Sequence, residues 1–319
     1  MEYEVNMDVF SNLMVIGECL LDAQRTRAFE RAIARVVGPG QTVLDVGTGS
    51  GVLAMFAARA GARRVLAIDI APDIVGFASA NIANNGLAQV IEVRECDGKR
   101  PPVREPVDVI TMELMDTWLV AEQQAPVLNE LHACGAIGSN TTLVPYQYQC
   151  LIELVEFDFS FYGFRMPFVI QARNFGVQKH VNRRLSAVHV AQDLSFQAPL
   201  SLEVEGRLAI PVVDDGFCNA AVLTARTLLA PGISVGSTTD MNMPVIVPLP
   251  RQSVRRGESV ALDFNYVMGS GFGAFQMKWN HRDERPHVVN TTHDPPVRHR
   301  QLRHHEEGAF LARCAPGRL

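Results

Sequence analysis

Glu113 and Glu122 stand nine positions apart in the segment Met112-Glu113-Leu114-Met115-Asp116-Thr117-Trp118-Leu119-Val120-Ala121-Glu122. An apolar strand-like run, Val107 to Thr111, precedes it, and a helix-like stretch follows. A loop that folds back between the two aims both carboxylates at one spot. Such a pair suits a planar cation with several N–H donors, and guanidinium is the obvious one. Taken singly, each acid has a plainer reading: Glu113 as a strand-end ion pair, Glu122 as a favourable charge at a helix N-terminus.

Upstream lies Val43-Leu44-Asp45-Val46-Gly47-Thr48-Gly49-Ser50-Gly51, a strand running into a glycine-rich turn and a helix. Glycine is needed where backbone approaches a ligand closely or takes positive φ. The spacing is G-x-G-x-G, not the dinucleotide G-x-G-x-x-G. Asp45 before the turn favours a cationic cofactor over a pyrophosphate, and S-adenosylmethionine carries an ammonium and a sulfonium. Asp69, ending the next strand, is placed to accept from ribose hydroxyls. Asp97, after the third strand, either accepts from an adenine amino group or is a solvated loop residue. Expected cofactor residues are therefore Asp45, Gly47, Gly49, Gly51, Asp69 and Asp97.

The elements that must carry these residues alternate. Residues 11–37 read as one amphipathic helix stopped by Gly38-Pro39-Gly40. Strands follow at Thr42 to Val46, Arg64 to Ile70, Val90 to Arg94 and Val107 to Thr111. Helices are expected at Val52 to Ala60, Asp73 to Asn84 and Glu122 to Cys134. That pattern predicts an α/β fold, a Rossmann-like parallel sheet with helices on both faces. After about residue 145, strand-like runs (Tyr148 to Phe159, Leu200 to Ile210, Ala220 to Leu229, Met243 to Val247, Ser259 to Val267) predict a C-terminal antiparallel β-barrel. Residues 160–190 read as a short helical arm. The expected domains are 1–144, binding S-adenosylmethionine; 145–280, the substrate-side barrel; and 281–319, a weakly structured tail. The tail holds six of the nine histidines, at spacings that fit no zinc pattern, so no metal is expected.

Composition narrows the partners. At 319 residues and 47% apolar, the chain can bury a sizeable core. A net charge of −5 disfavours nucleic acid as partner. The six cysteines form no C-x-x-C pair, and no apolar run approaches the about 20 residues of a membrane span. A cytoplasmic protein without a membrane partner is the expectation.

These residues together resemble the protein arginine N-methyltransferase family, over roughly residues 10–280. Residues 17–26, Gly-Glu-Cys-Leu-Leu-Asp-Ala-Gln-Arg-Thr, are similar to the family's N-terminal helix, whose arginine grips the methionine carboxylate of the cofactor; the resemblance puts that role on Arg25. The 43–69 stretch, with Met55 to Ala62, looks like the cofactor motif. Residues 112–122 look like the family's double-glutamate loop, which makes Glu113 and Glu122 the catalytic pair. Tyr162-Gly163-Phe164 resembles the marker before a dimerisation arm, implying a homodimer, and Leu194-Ser195-Phe196 the start of the barrel. The chain departs from the family in three places. The Y-F-x-x-Y motif is reduced to Asn6-Met7-Asp8-Val9-Phe10, the arm is shorter, and the T-H-W loop becomes Thr239-Asp240-Met241.

The resemblance implies an S-adenosylmethionine-dependent N-methyltransferase acting on a guanidino group, either free arginine or a related small metabolite, or arginine in a protein. Trp118 either stacks on the substrate cation or packs as ordinary core. Trp118, Met115 and Asp240 are the expected substrate contacts. Two alternatives stay open: a catalytically silent methyltransferase-like scaffold, and methyl transfer to another small amine.

Overall fold

The computed structural model of the chain describes residues 12–171, 176 and 179–280. The Asn6-to-Phe10 segment and the histidine-rich stretch 281–319 lie outside the described residues.

The chain first forms two helices, α1 (Leu13–Leu21) and α2 (Ala23–Val36), rather than one. Asp22 causes the break. It leaves helical geometry with ψ 83°, and its carboxylate caps α2 by accepting from the Arg25 N–H at 3.0 Å. Helix α2 buries Ala28, Phe29, Ala32 and Ile33, spaced to share one face. Helix α1 buries nothing.

Five parallel strands then build one sheet: β1 (Thr42–Val46), β2 (Arg64–Asp69), β3 (Ile91–Glu95), β4 (Val109–Met112) and β5 (Thr142–Val144). Helices α3 (Val52–Arg59), α4 (Pro72–Asn84) and α5 (Gln124–Ala133) connect them. The order is β3-β2-β1-β4-β5. All four residues of β4 and four of the five in β1 are buried, as central strands covered on both faces require. The strand order reverses between β1 and β4, and ligands in such sheets bind beyond the strand C-termini at that point. Glu113 follows the last residue of β4, and Gly47 follows the last residue of β1.

The remainder is antiparallel. A seven-stranded sheet contains β6 (Gln147–Phe157), β9 (Ile170–Gln171), β10 (Val181–Arg184), β11 (His189–Ser195), β13 (Gly216–Ala230), β14 (Ile233–Val235) and β15 (Val245–Val254). A three-stranded sheet joins β12 (Glu203–Pro211), β16 (Ser259–Val267) and β17 (Gln276–Asn280). The arm expected to be helical contains no α-helix among its described residues. Its first part is a small hairpin of β7 (Ser160–Phe161) and β8 (Phe164–Arg165), turning at Tyr162-Gly163 with φ of 54° and 85°. Two successive left-handed residues ending in glycine are the two-residue hairpin signature, and this overrides the helical reading. No helix among the described residues is long and apolar enough to cross a membrane.

The loop 113–123 is fastened to the antiparallel strands. Within it, Trp118 and Leu119 both take left-handed backbone conformations, φ 65° and 57°. Bulky residues there are strained and persist only where surroundings enforce them. Here Tyr148 on β6 accepts from the Trp118 N–H at 3.1 Å and donates to the Asp116 carbonyl at 2.8 Å. Tyr266 on β16 donates to the Trp118 carbonyl at 3.1 Å. The Gly269 and Gly271 N–H groups donate to the carbonyls of Leu119 and Val120 at 3.1 and 2.7 Å.

Trp118 itself is fully buried, edge-on to Phe264 and Phe275, with its indole N–H donating to the carbonyls of Leu151 and Thr224 at 3.0 and 3.1 Å. Its expected role as a substrate wall is thereby corrected: both ring faces and its one donor are used inside the core. Trp118→Ala is expected to cost about 3–5 kcal/mol of stability, measured by urea denaturation followed by circular dichroism.

Candidate active site

A cavity of about 200 Å³ opens at the sheet's switch point. Its floor is the glycine turn. Gly47 and Gly49 line it with φ of 71° and 53°. A Cβ on Gly47 would lie 2.4 Å from the Leu114 side chain, so this turn and the glutamate loop touch closely enough to require glycine. Gly51 does not reach the cavity; it stands at φ 84° at the start of α3, beside Ile82. The expected cofactor contact at Gly51 is corrected to a backbone role.

Asp45 is corrected in the same way. It is completely buried, and its two oxygens accept from the Thr111 and Thr48 hydroxyls, each at 2.6 Å. Burial raises its pKa. It ties β1 to β4 and to the turn, and presents nothing to the cavity. Asp69 does line the cavity. It is 9% exposed and accepts from the N–H groups of Gly49 at 3.0 Å and Ala71 at 3.2 Å, while burial raises its pKa. Its carboxylate keeps lone pairs free for hydroxyl donors. Asp97 also lines the cavity, with one oxygen accepting from the Lys99 N–H at 2.9 Å.

Glu113 and Glu122 both face this cavity, as do Met115 and Asp240. Arg25, 7% exposed, reaches in from α2 and forms an ion pair with Glu113 through Nη2. Its Nη1 donates to the Cys19 carbonyl at 3.1 Å, and its Nε is buried with no partner. An orphaned guanidinium donor at a cavity wall is costly unless a ligand completes it. Glu122 has another environment. Burial first, and the Asp116 charge second, push its carboxyl up to about 8, against the opposing pull of Arg25. The two acids are therefore unequal: one is paired to a cation, the other has a high affinity for a proton.

Several determinants were not evident from sequence. Val15, Ile16 and Cys19 of α1 roof the cavity. Gln124, fully buried, accepts from the Leu114 N–H at 2.9 Å and so closes the glutamate loop onto the head of α5. Asp22 reaches from its cap position to the Asp240 N–H at 3.2 Å, tethering the Thr239-Asp240-Met241 turn to α2. The Asp–x–x–Arg cap pattern was the only sequence signal for any of these.

Parts of this chain are similar to known proteins. The profile of the ribosomal protein L11 methyltransferase (PrmA) family matches residues 25–137. An uncharacterized protein of Methanothermobacter thermautotrophicus is 30% identical over 82% of this chain and 95% of its own length. An arginine N(omega)-methyltransferase of Streptomyces achromogenes subsp. streptozoticus is 40% identical over 34% of this chain and 31% of its own length. Among solved structures, the Trypanosoma brucei PRMT1 enzyme-prozyme complex with AdoHcy superposes with a TM-score of 0.65 at 20% identity, covering 81% of this chain and 89% of that one. The chain carries a PrmA-like methyltransferase domain, and its relatives include proteins named arginine N-methyltransferases.

Proposed function

We propose that the protein is an S-adenosylmethionine-dependent N-methyltransferase whose acceptor is a guanidino group. The observation that carries this reading is that Glu113 and Glu122 line one cavity together with the glycine turn and Arg25. The lining suits this cofactor. Arg25, with its unpartnered Nε, fits a carboxylate, and Asp69 fits ribose hydroxyls. Asp97 fits an amino donor, and the carboxylates suit a ligand bearing an ammonium and a sulfonium.

When bound, S-adenosylmethionine supplies the methyl: the acceptor nitrogen forms the N–C bond as the S–C bond breaks, S-adenosylhomocysteine leaves, and the nitrogen gives up a proton. The protein's part is alignment and charge. Glu113, tethered by Arg25, and Glu122 pair with guanidinium N–H groups and draw positive charge toward the nitrogens they bind. The attacking nitrogen keeps more of its lone pair. Glu122, whose proton affinity is raised, is the group suited to take the released proton. Free arginine or a small guanidino metabolite is the favoured acceptor. The name of the Streptomyces relative supports this, as does Asp240, a further cavity carboxylate able to receive a second positive group on a small substrate.

A homodimer formed through the arm accompanies this reading. Its support is the exposed apolar tip, where Tyr162 is 98% and Phe164 70% exposed.

Mass spectrometry of parallel reactions with free arginine and an arginine-rich peptide tests the function directly. Methylated free arginine is expected, and absence of guanidino methylation in both would refute the reading. Glu122→Gln should lower kcat/KM by about 100-fold or more while calorimetry shows S-adenosylhomocysteine binding little changed. Arg25→Ala should instead weaken that binding. The pH dependence has a definite sign. Glu122 receives guanidinium only as its anion, so kcat/KM should rise with pH and level off above about 8. The Glu122→Gln variant should lack this limb.

A further inference from the structure

Asp116 does not line the cavity, yet it is a buried carboxylate at 7% exposure. Its partners are backbone amides. One oxygen accepts from the Ala121 and Glu122 N–H groups at 3.0 Å each, and the other from Ala121 at 3.0 Å. It therefore spans the loop from the residue before the strained Thr117–Leu119 turn to the peptide that carries Glu122. Among the described residues no cation is drawn to it, and its charge acts on Glu122.

We propose that Asp116 is a positioning residue for Glu122: it holds the Ala121 and Glu122 amides so that the Glu122 carboxyl enters the cavity, and its negative charge sets how tightly that carboxyl keeps a proton. This rests on Glu122 being an acceptor glutamate. A plain loop cap would satisfy the same amides with a neutral oxygen, at lower electrostatic cost. A carboxylate here places a like charge beside Glu122, and that adds to the rise at Glu122. Asp116 is pushed up to about 6, chiefly by burial, and Glu122 to about 8. The surroundings do not relieve them equally. Arg25 from α2 opposes the rise at Glu122. Cys19 from α1 feels both Glu122 and Asp240. Tyr148 and Cys150 on β6 and Tyr266 on β16 face Asp116, and burial keeps all three protonated.

The test is a carboxyl titration of the full chain by 13C NMR, with Glu122 identified by its loss in Glu122→Gln. Asp116→Asn and Asp116→Ser remove the charge and keep an oxygen for the amides. In both, Glu122 should titrate lower by about one unit or more, and the acid limb of kcat/KM should move down with it. A Glu122 titration unchanged in both variants would overturn the proposal even if thermal stability fell, since a structural cap alone predicts that result. Failure of both variants to fold would overturn it too, placing Asp116 in the fold rather than in the tuning of Glu122. The titration needs no acceptor, so it stands apart from the functional reading. Active Glu122→Gln together with a shifted titration would refute the acceptor role and leave the Asp116–Glu122 coupling intact.

Discussion

Two carboxyl groups line one cavity, and the constraint that governs them is the cost of holding a carboxylate out of water. Arg25 answers the charge of Glu113 with an ion pair. Glu122 is held differently: burial first, and the Asp116 charge second, strengthen its hold on a proton. A carboxyl whose folded pKa lies above its ordinary value stabilises the fold at low pH and loses that contribution as pH rises toward about 8. The apo protein thus carries a destabilising feature in the pH range where the proposed reaction needs the anion. A cation bound against Glu122 would oppose that rise, as Arg25 already does.

The fold's task is to set this pair at the mouth of a parallel sheet. Reversal of strand order between β1 and β4 opens the space, and Gly47 lets the glutamate loop approach to where a Cβ would overlap Leu114. Gln124 clasps the loop from the α5 side, while Tyr148 and Tyr266 clasp it from the antiparallel side. The left-handed backbone at Trp118 and Leu119 is thus over-determined by hydrogen bonds to distant parts of the chain.

Much of this was legible in the residues. The parallel strands and their helices fall close to the expected positions because buried apolar runs and glycine turns are local signals. Glu113, Glu122, Arg25, Gly47, Gly49, Asp69, Asp97, Met115 and Asp240 line one cavity. What was not legible depends on distant partners. The apolar pattern runs through Asp22 without interruption, so the helix break shows only once Asp22 is seen capping α2. Asp45 reads as a ligand-facing acid until Thr111, on a neighbouring strand, is found against it. Trp118 sits between two glutamates in sequence, but its direction is decided by Phe264 and Phe275 far along the chain. In the arm, Tyr162-Gly163 is a local hairpin signal that outweighs the helical pattern around it.

The anchoring of the glutamate loop by Tyr148, Tyr266, Gly269 and Gly271 bears on how such an enzyme can diversify. The acids come from the nucleotide-fold portion, but their posture is dictated by residues encoded much later. Grafting a foreign antiparallel portion onto this sheet would carry over the acidic pair without its bracing. Selection for a new acceptor can accordingly act through distant β-strand positions, altering the angle between the acids while leaving the acids themselves untouched.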